Sequence, residues 1–275
     1  MDAQVQITAQ SLQRARVIAL HCSGASASQW HRLAQALGES FEVLAPEHFG
    51  SENRGPWTGE HAFTLADEAF TTLTLIDEAA DRIHLVGHSY GGGVALNAAL
   101  NRPDRIASMV LYEPGAFHLL RQMQERGAAA HAEIRDLARH FGKSLLTGDY
   151  RSAIARFVDY WNGPGAWRTM RPDVQRALLR WAPKGPLDFQ ASINEPTPLS
   201  AYSTLDFPVL ILRGEHSPRA SCVVAECLAE LLPNSKLEVV PGAGHMGPIS
   251  HAPEICALTM QHIAQSAGLT SLNQH

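Results

Sequence analysis

The feature that most narrows what this chain can become is Gly87-His88-Ser89-Tyr90-Gly91. It stands directly behind the apolar run Ile83–Val86 and just ahead of an Ala/Leu-rich stretch, Val94–Asn101, that Pro103 ends. These residues fit G-x-S-x-G, and the flanks supply the buried strand and the helix which that motif requires. In so tight a strand-to-helix turn, side chains two residues before and after the serine would collide, so Gly87 and Gly91 are explained sterically. The turn also aims the free N–H groups of a helix start at Ser89, where negative charge would develop. Ser89 is the candidate nucleophile.

The rest of the chain has the alternation such a turn needs. Apolar runs at Val17–His21, Phe41–Ala45, Ile106–Tyr112, Pro208–Leu212 and Leu237–Val240 read as strands, and Val5–Thr8 as an edge strand. Helical spacing marks Gln29–Leu37, Thr64–Ala80, Ser221–Leu231 and Pro253–Gln265, with Asp67 and Glu68 suited to the positive end of their helix. The fold class expected is α/β, a mostly parallel twisted sheet with helices on both faces. Residues 116–198 interrupt the pattern, being mostly helical and rich in Arg. They are expected to form a helical cap over the strand ends, leaving 1–115 and 199–275 as the core. Trp161, Trp167 and Trp181 are candidates for lining a pocket beneath it. Aromatics on cap helices more often pack the cap itself, so none is assigned to substrate.

A serine hydroxyl needs a base to take its proton. His245 fits, in the small-residue loop 241–248 after the last strand; His251 and His262 lie at or within the final helix. The G-x-G-x-x-G of Gly242, Gly244 and Gly247 lacks a following strand and a ribose-binding carboxylate, so it is read as coincidence. For the oxyanion, the Tyr90 amide is one expected donor. The loop His21-Cys22-Ser23-Gly24 supplies the other, with Ser23 preferred over Cys22.

Composition removes other classes. Lys and Arg number 22 against 27 Asp and Glu, a formal charge of −5, with no basic block to favour nucleic acid. No apolar stretch approaches the ~18 residues of a membrane helix, and the start lacks a signal-like pattern, so a cytoplasmic location is expected. The scattered Cys22, Cys222, Cys227 and Cys256 read as reduced, mostly buried thiols. His and Cys show no zinc spacing, so neither metal nor cofactor is expected. Oligomeric state is left open.

HCSG after an early strand, GHSYGGG, and VVPGAGHMGP near the end together resemble the α/β-hydrolase superfamily, over about residues 15–265. The resemblance is to its serine esterases, C–C hydrolases and related capped enzymes. It implies an acyl-enzyme hydrolase acting on a small, apolar ester or similar carbonyl substrate. C–C hydrolysis of a diketone, an addition–elimination enzyme and a non-catalytic ligand-binding protein are the alternatives. One departure concerns the triad acid: where an Asp is usual, Gly214-Glu215-His216-Ser217 places Ser217, which cannot carry charge. Glu113, at the end of the strand after the nucleophile helix, is the preferred acid, and Glu215 the second.

Overall fold

The computed structural model describes residues 14–51 and 53–268; Val5–Thr8 lies outside the described residues. Six strands are present among them: β1 (Ala15–Leu20), β2 (Phe41–Leu44), β3 (Ile83–His88), β4 (Ile106–Tyr112), β5 (Val209–Gly214) and β6 (Ser235–Val240). They form one parallel sheet in the order β2-β1-β3-β4-β5-β6. The strands read as unbroken apolar runs because both faces are covered. On β1, Val17 and Ala19 join one core layer and Ile18 and Leu20 the other. That is the two-residue side-chain period of a strand.

Helices α1 (His31–Leu37), α2 (Leu65–Asp77) and α3 (Tyr90–Asn101) accompany the first strands. Thr64 caps α2 through a reciprocal pair with Asp67: its hydroxyl accepts the Asp67 N–H, and its own N–H donates to the Asp67 carboxylate. Between β4 and β5 the chain inserts α4 (His118–Gln122), α5 (Glu125–Leu146), α6 (Tyr150–Asn162), α7 (Ala166–Thr169), α8 (Pro172–Trp181) and α9 (Gly185–Asn194). It closes with α10 (Arg219–Leu231), α11 (Gly247–Ser250) and α12 (Ala252–Ser266). Leu33 of α1 and Ile263 of α12 pack in the Val17 layer; α2, α3, α10 and the inserted helices pack in the Ile18 layer. Among the described residues, no helix is long and apolar enough to cross a membrane.

One expectation needs correcting. The glycine-rich segment was expected to precede a helix at Val94, but α3 starts at Tyr90 and β3 runs on through His88. Only Ser89 turns. Three glycines at a helix start are poor helix formers, yet each meets a close neighbour. A Cβ on Gly91 would lie 2.3 Å from the Leu20 carbonyl oxygen, one on Gly92 2.8 Å from Pro114, and one on Gly93 3.3 Å from the Gly115 carbonyl oxygen. Tertiary contact outweighs propensity here. The strand order reverses at β1 and β3, and the ends of these two strands flank the crevice where open α/β sheets bind ligands.

Candidate active site

Ser89 sits at φ 52° and ψ −119°, a left-handed conformation a non-glycine residue seldom adopts. The turn is fixed from outside. The Ser89 N–H donates to the Tyr112 carbonyl at 3.0 Å, and the Ser89 carbonyl accepts the Gly115 N–H at 2.6 Å. Glu113, beside it at the end of β4, is also left-handed at φ 45°. Such strain persists only where surrounding structure over-determines it.

These two residues meet at His245. Its Nε2 lies 3.0 Å from the Ser89 Oγ and its Nδ1 2.6 Å from Glu113 Oε2. All three side chains are buried. Burial works to raise the Glu113 carboxyl, but hydrogen bonds to His245, Ser217 and Gly214 outweigh it and hold the group below the usual carboxylate range. Gly214 N–H donates to Glu113 Oε1 at 2.7 Å, and the Ser217 hydroxyl donates to the same oxygen. Ser217 thus stands beside the Glu113 carboxylate as a donor. Glu215 is not brought to His245: its Oε2 accepts the Gly242 N–H at 2.8 Å on the exposed side of the loop.

The loop after β1 faces the same point. The Cys22 N–H donates to Gln29 Oε1 at 3.2 Å. Among the described residues, neither the Ser23 nor the Tyr90 N–H donates to a protein group. The Ser23 hydroxyl is held separately, donating to Asp188 Oδ2 at 2.6 Å. Asp188 pairs with Lys184, and Lys184 Nζ reaches Glu68 Oε2 at 2.8 Å, which accepts the Tyr90 hydroxyl at 3.1 Å. A buried ionic chain therefore runs from α9 to α2 behind the loop. Burial raises the Asp188 carboxyl, with Lys184 opposing, and raises the Cys22 thiol to about 12.

His88, Tyr112 and Ser221 join the site without a signal in the sequence. His88, the second residue of the motif, is wholly buried; its Nε2 donates to the His245 carbonyl at 2.9 Å. The Tyr112 hydroxyl donates to the Gly244 carbonyl at 2.6 Å, a second anchor for the His245 loop. Ser221 Oγ lies 3.3 Å from His245 Nδ1. The Trp161 ring stacks on the imidazole, centroids 4.1 Å apart at 27°. A cavity of about 670 Å³ opens above Ser89, walled by the β1 loop, α6, α8 and the segment from His245 to Ile249. Trp161 and Trp181 line it; Trp167 is buried elsewhere in the insertion.

This arrangement can carry out nucleophilic attack on a carbonyl with proton transfer through His245. Residues 15–252 match the family model of the alpha/beta hydrolase fold, so the chain belongs to the α/β-hydrolase family and is a hydrolase. Lipase LipV of Mycobacterium tuberculosis is 37% identical over 166 residues, 60% of this chain and 56% of that protein. The pimeloyl-(acyl-carrier protein) methyl ester esterase of Aeromonas hydrophila subsp. hydrophila is 29% identical over 251 residues, covering 86% of this chain and 90% of the relative. Among solved structures, MGS-M2, an α/β-hydrolase enzyme from a Medee basin deep-sea metagenome library, superposes with a TM-score of 0.75 at 18% identity. That match covers all of this chain (100%) and 94% of the other.

Proposed function

We propose that the protein hydrolyses carboxylic esters of apolar substrates through an acyl-enzyme on Ser89. The observation that carries this reading is the unbroken hydrogen-bonded line Glu113–His245–Ser89, at 2.6 and 3.0 Å, ending under a cavity. His245 takes the Ser89 proton as Oγ attacks and delivers it to the departing alcohol. Glu113 holds the imidazole and stabilises its charged form. The Ser23 and Tyr90 amides receive the oxyanion; the engagement of the Cys22 amide by Gln29 supports Ser23 over Cys22. A water activated by His245 then frees the acid. Residues 116–198 act as the cap, and their aromatic side chains make the substrate space apolar. The ester class is supported by relatives named as a lipase and a methyl ester esterase.

A fluorophosphonate probe tests the assignment. The native protein should be labelled once and Ser89→Ala not at all. Labelling of the Ala variant, or of neither protein, would refute it. Turnover of p-nitrophenyl acetate beside a diketone substrate then separates ester from C–C hydrolysis, and turnover of either separates an enzyme from a binding protein.

A further inference from the structure

The space around Ser89 is divided unequally. Besides the cavity of about 670 Å³, a far smaller niche of about 20 Å³ touches Ser89, Tyr90 and Ser23. Phe157, Trp161 and Trp181 border both, as do Ser23 and Ser89. The walls belonging to the niche alone include Phe117, Asp188, Phe189 and Ser192. His245 and Met246 border the larger cavity and not the niche.

The chemistry decides which half of an ester goes where. Once the Ser89 Oγ–C bond forms, the carbon has three other substituents. Its oxygen faces the Ser23 and Tyr90 amides. The leaving oxygen must face His245 Nε2, which hands it the proton taken from Ser89 as the C–O bond breaks. The acyl chain takes the remaining direction. The leaving side is therefore the side that holds His245, the larger cavity, from which an alcohol can also depart. The acyl side is the niche.

Resting on the ester-hydrolase reading above, we infer that the enzyme is selective for a short acyl group, of acetyl size, carried on a large apolar alcohol. The niche has about one thirtieth of the room of the larger cavity and suits the small half of the ester. Its walls are braced: Phe189 packs against Phe141 at 5.9 Å and Phe157 at 6.1 Å, and Phe117 stacks on Trp161 at 6.1 Å and 18°. Asp188 and Ser192 in the wall further disfavour a long hydrocarbon chain. The larger cavity is lined instead by Met170, Val174, Leu178 and Ile249, and suits the bulky half.

The test is a series of 2-naphthyl esters with acetyl, butyryl and octanoyl groups, with kcat/KM measured for each. Since one methylene too many in an apolar pocket costs about 10–200-fold, acetate should exceed butyrate at least about tenfold and octanoate by more. In Phe189→Ala, and in the milder Phe189→Leu should the first fail to fold, the acetate-to-butyrate ratio should fall about tenfold. Octanoate equal to or better than acetate in the native enzyme would overturn the inference while leaving the hydrolase reading intact. A ratio unmoved in a folded Phe189 variant would do the same. Absence of both ester turnover and probe labelling would instead remove the hydrolase reading, and this inference with it.

Discussion

At Glu113 three donors converge on two oxygens: Gly214 N–H and the Ser217 hydroxyl on Oε1, and His245 Nδ1 on Oε2. An acid that orients a base must itself be held, and each donor removes one rotational freedom of the carboxylate. Glu113→Gln should therefore lower kcat by about 10⁴, as loss of a triad acid does elsewhere. Ser217→Ala should lower kcat about tenfold, roughly the 1.4 kcal/mol that one hydrogen bond to a charged acceptor can contribute. Its KM should stay close to native, because Ser217 does not line the cavity. Steady-state kinetics decide this, and full kcat in Ser217→Ala would reduce Ser217 to a spectator. Much of the site was legible at this scale because its signals are local. The strained serine announces itself through the glycines that relieve the crowding around it, and His245, the proposed base, through its small-residue loop after a strand. Glu113 could be named as the preferred acid only because Ser217 lacked a charge. What Ser217 and His88 do could not be read, nor that Trp161, a candidate for lining the pocket, stacks on His245. Each acts on a partner brought in by folding from far along the chain, and none bears a local pattern that distinguishes it from a core residue.

The elements were legible where the apolar period was long, and their ends were not. The strands of the sheet were found within a few residues, whereas α3 began at Tyr90 and not at Val94, because packing against β1 and Pro114 overrode glycine's helix-breaking tendency. The inserted helices were visible as a block, but nothing in their sequence told how they attach. The attachment includes Lys184 at the start of α9, buried between Glu68 of α2 and its own Asp188. A buried ion pair adds little net stability, but removing one partner strands a charge without water. Lys184→Met leaves Glu68 and Asp188 facing each other, and it should cost about 3–5 kcal/mol, with the Asp188–Ser23 bond loosened as well. Urea unfolding measures this. A loss below about 1 kcal/mol would mean that the helix is held by its apolar contacts alone.

Over the whole molecule, the buried histidines make stability depend on pH in a definite direction. His48, His84 and His118 are each lowered to about 4, in every case chiefly by burial; His21 adds to the effect at His48 and His262 at His84. Glu68 pulls His48 the other way without prevailing. The unfolded chain binds these protons near pH 6.5 and the folded chain only near 4. Between those values the unfolded state holds more protons, so stability falls as the pH falls. From pH 7 to pH 5 each histidine should cost about 2 kcal/mol, a sizeable share of the 5–15 kcal/mol typical of a domain. Glu113 and Glu68 stay ionised through this window, because their folded values lie below the ordinary range. Stability associated with them is lost only in stronger acid. Asp188, raised by burial, has the opposite sign and returns a little stability as it takes up a proton. The unfolding free energy from urea titration should therefore drop steeply from pH 7 to pH 5. The drop should be about 2 kcal/mol smaller in His118→Gln, whose amide can still meet the Tyr202 hydroxyl that His118 Nε2 contacts at 3.0 Å. An unfolding free energy flat across that range would show that these imidazoles are already solvated in the folded state.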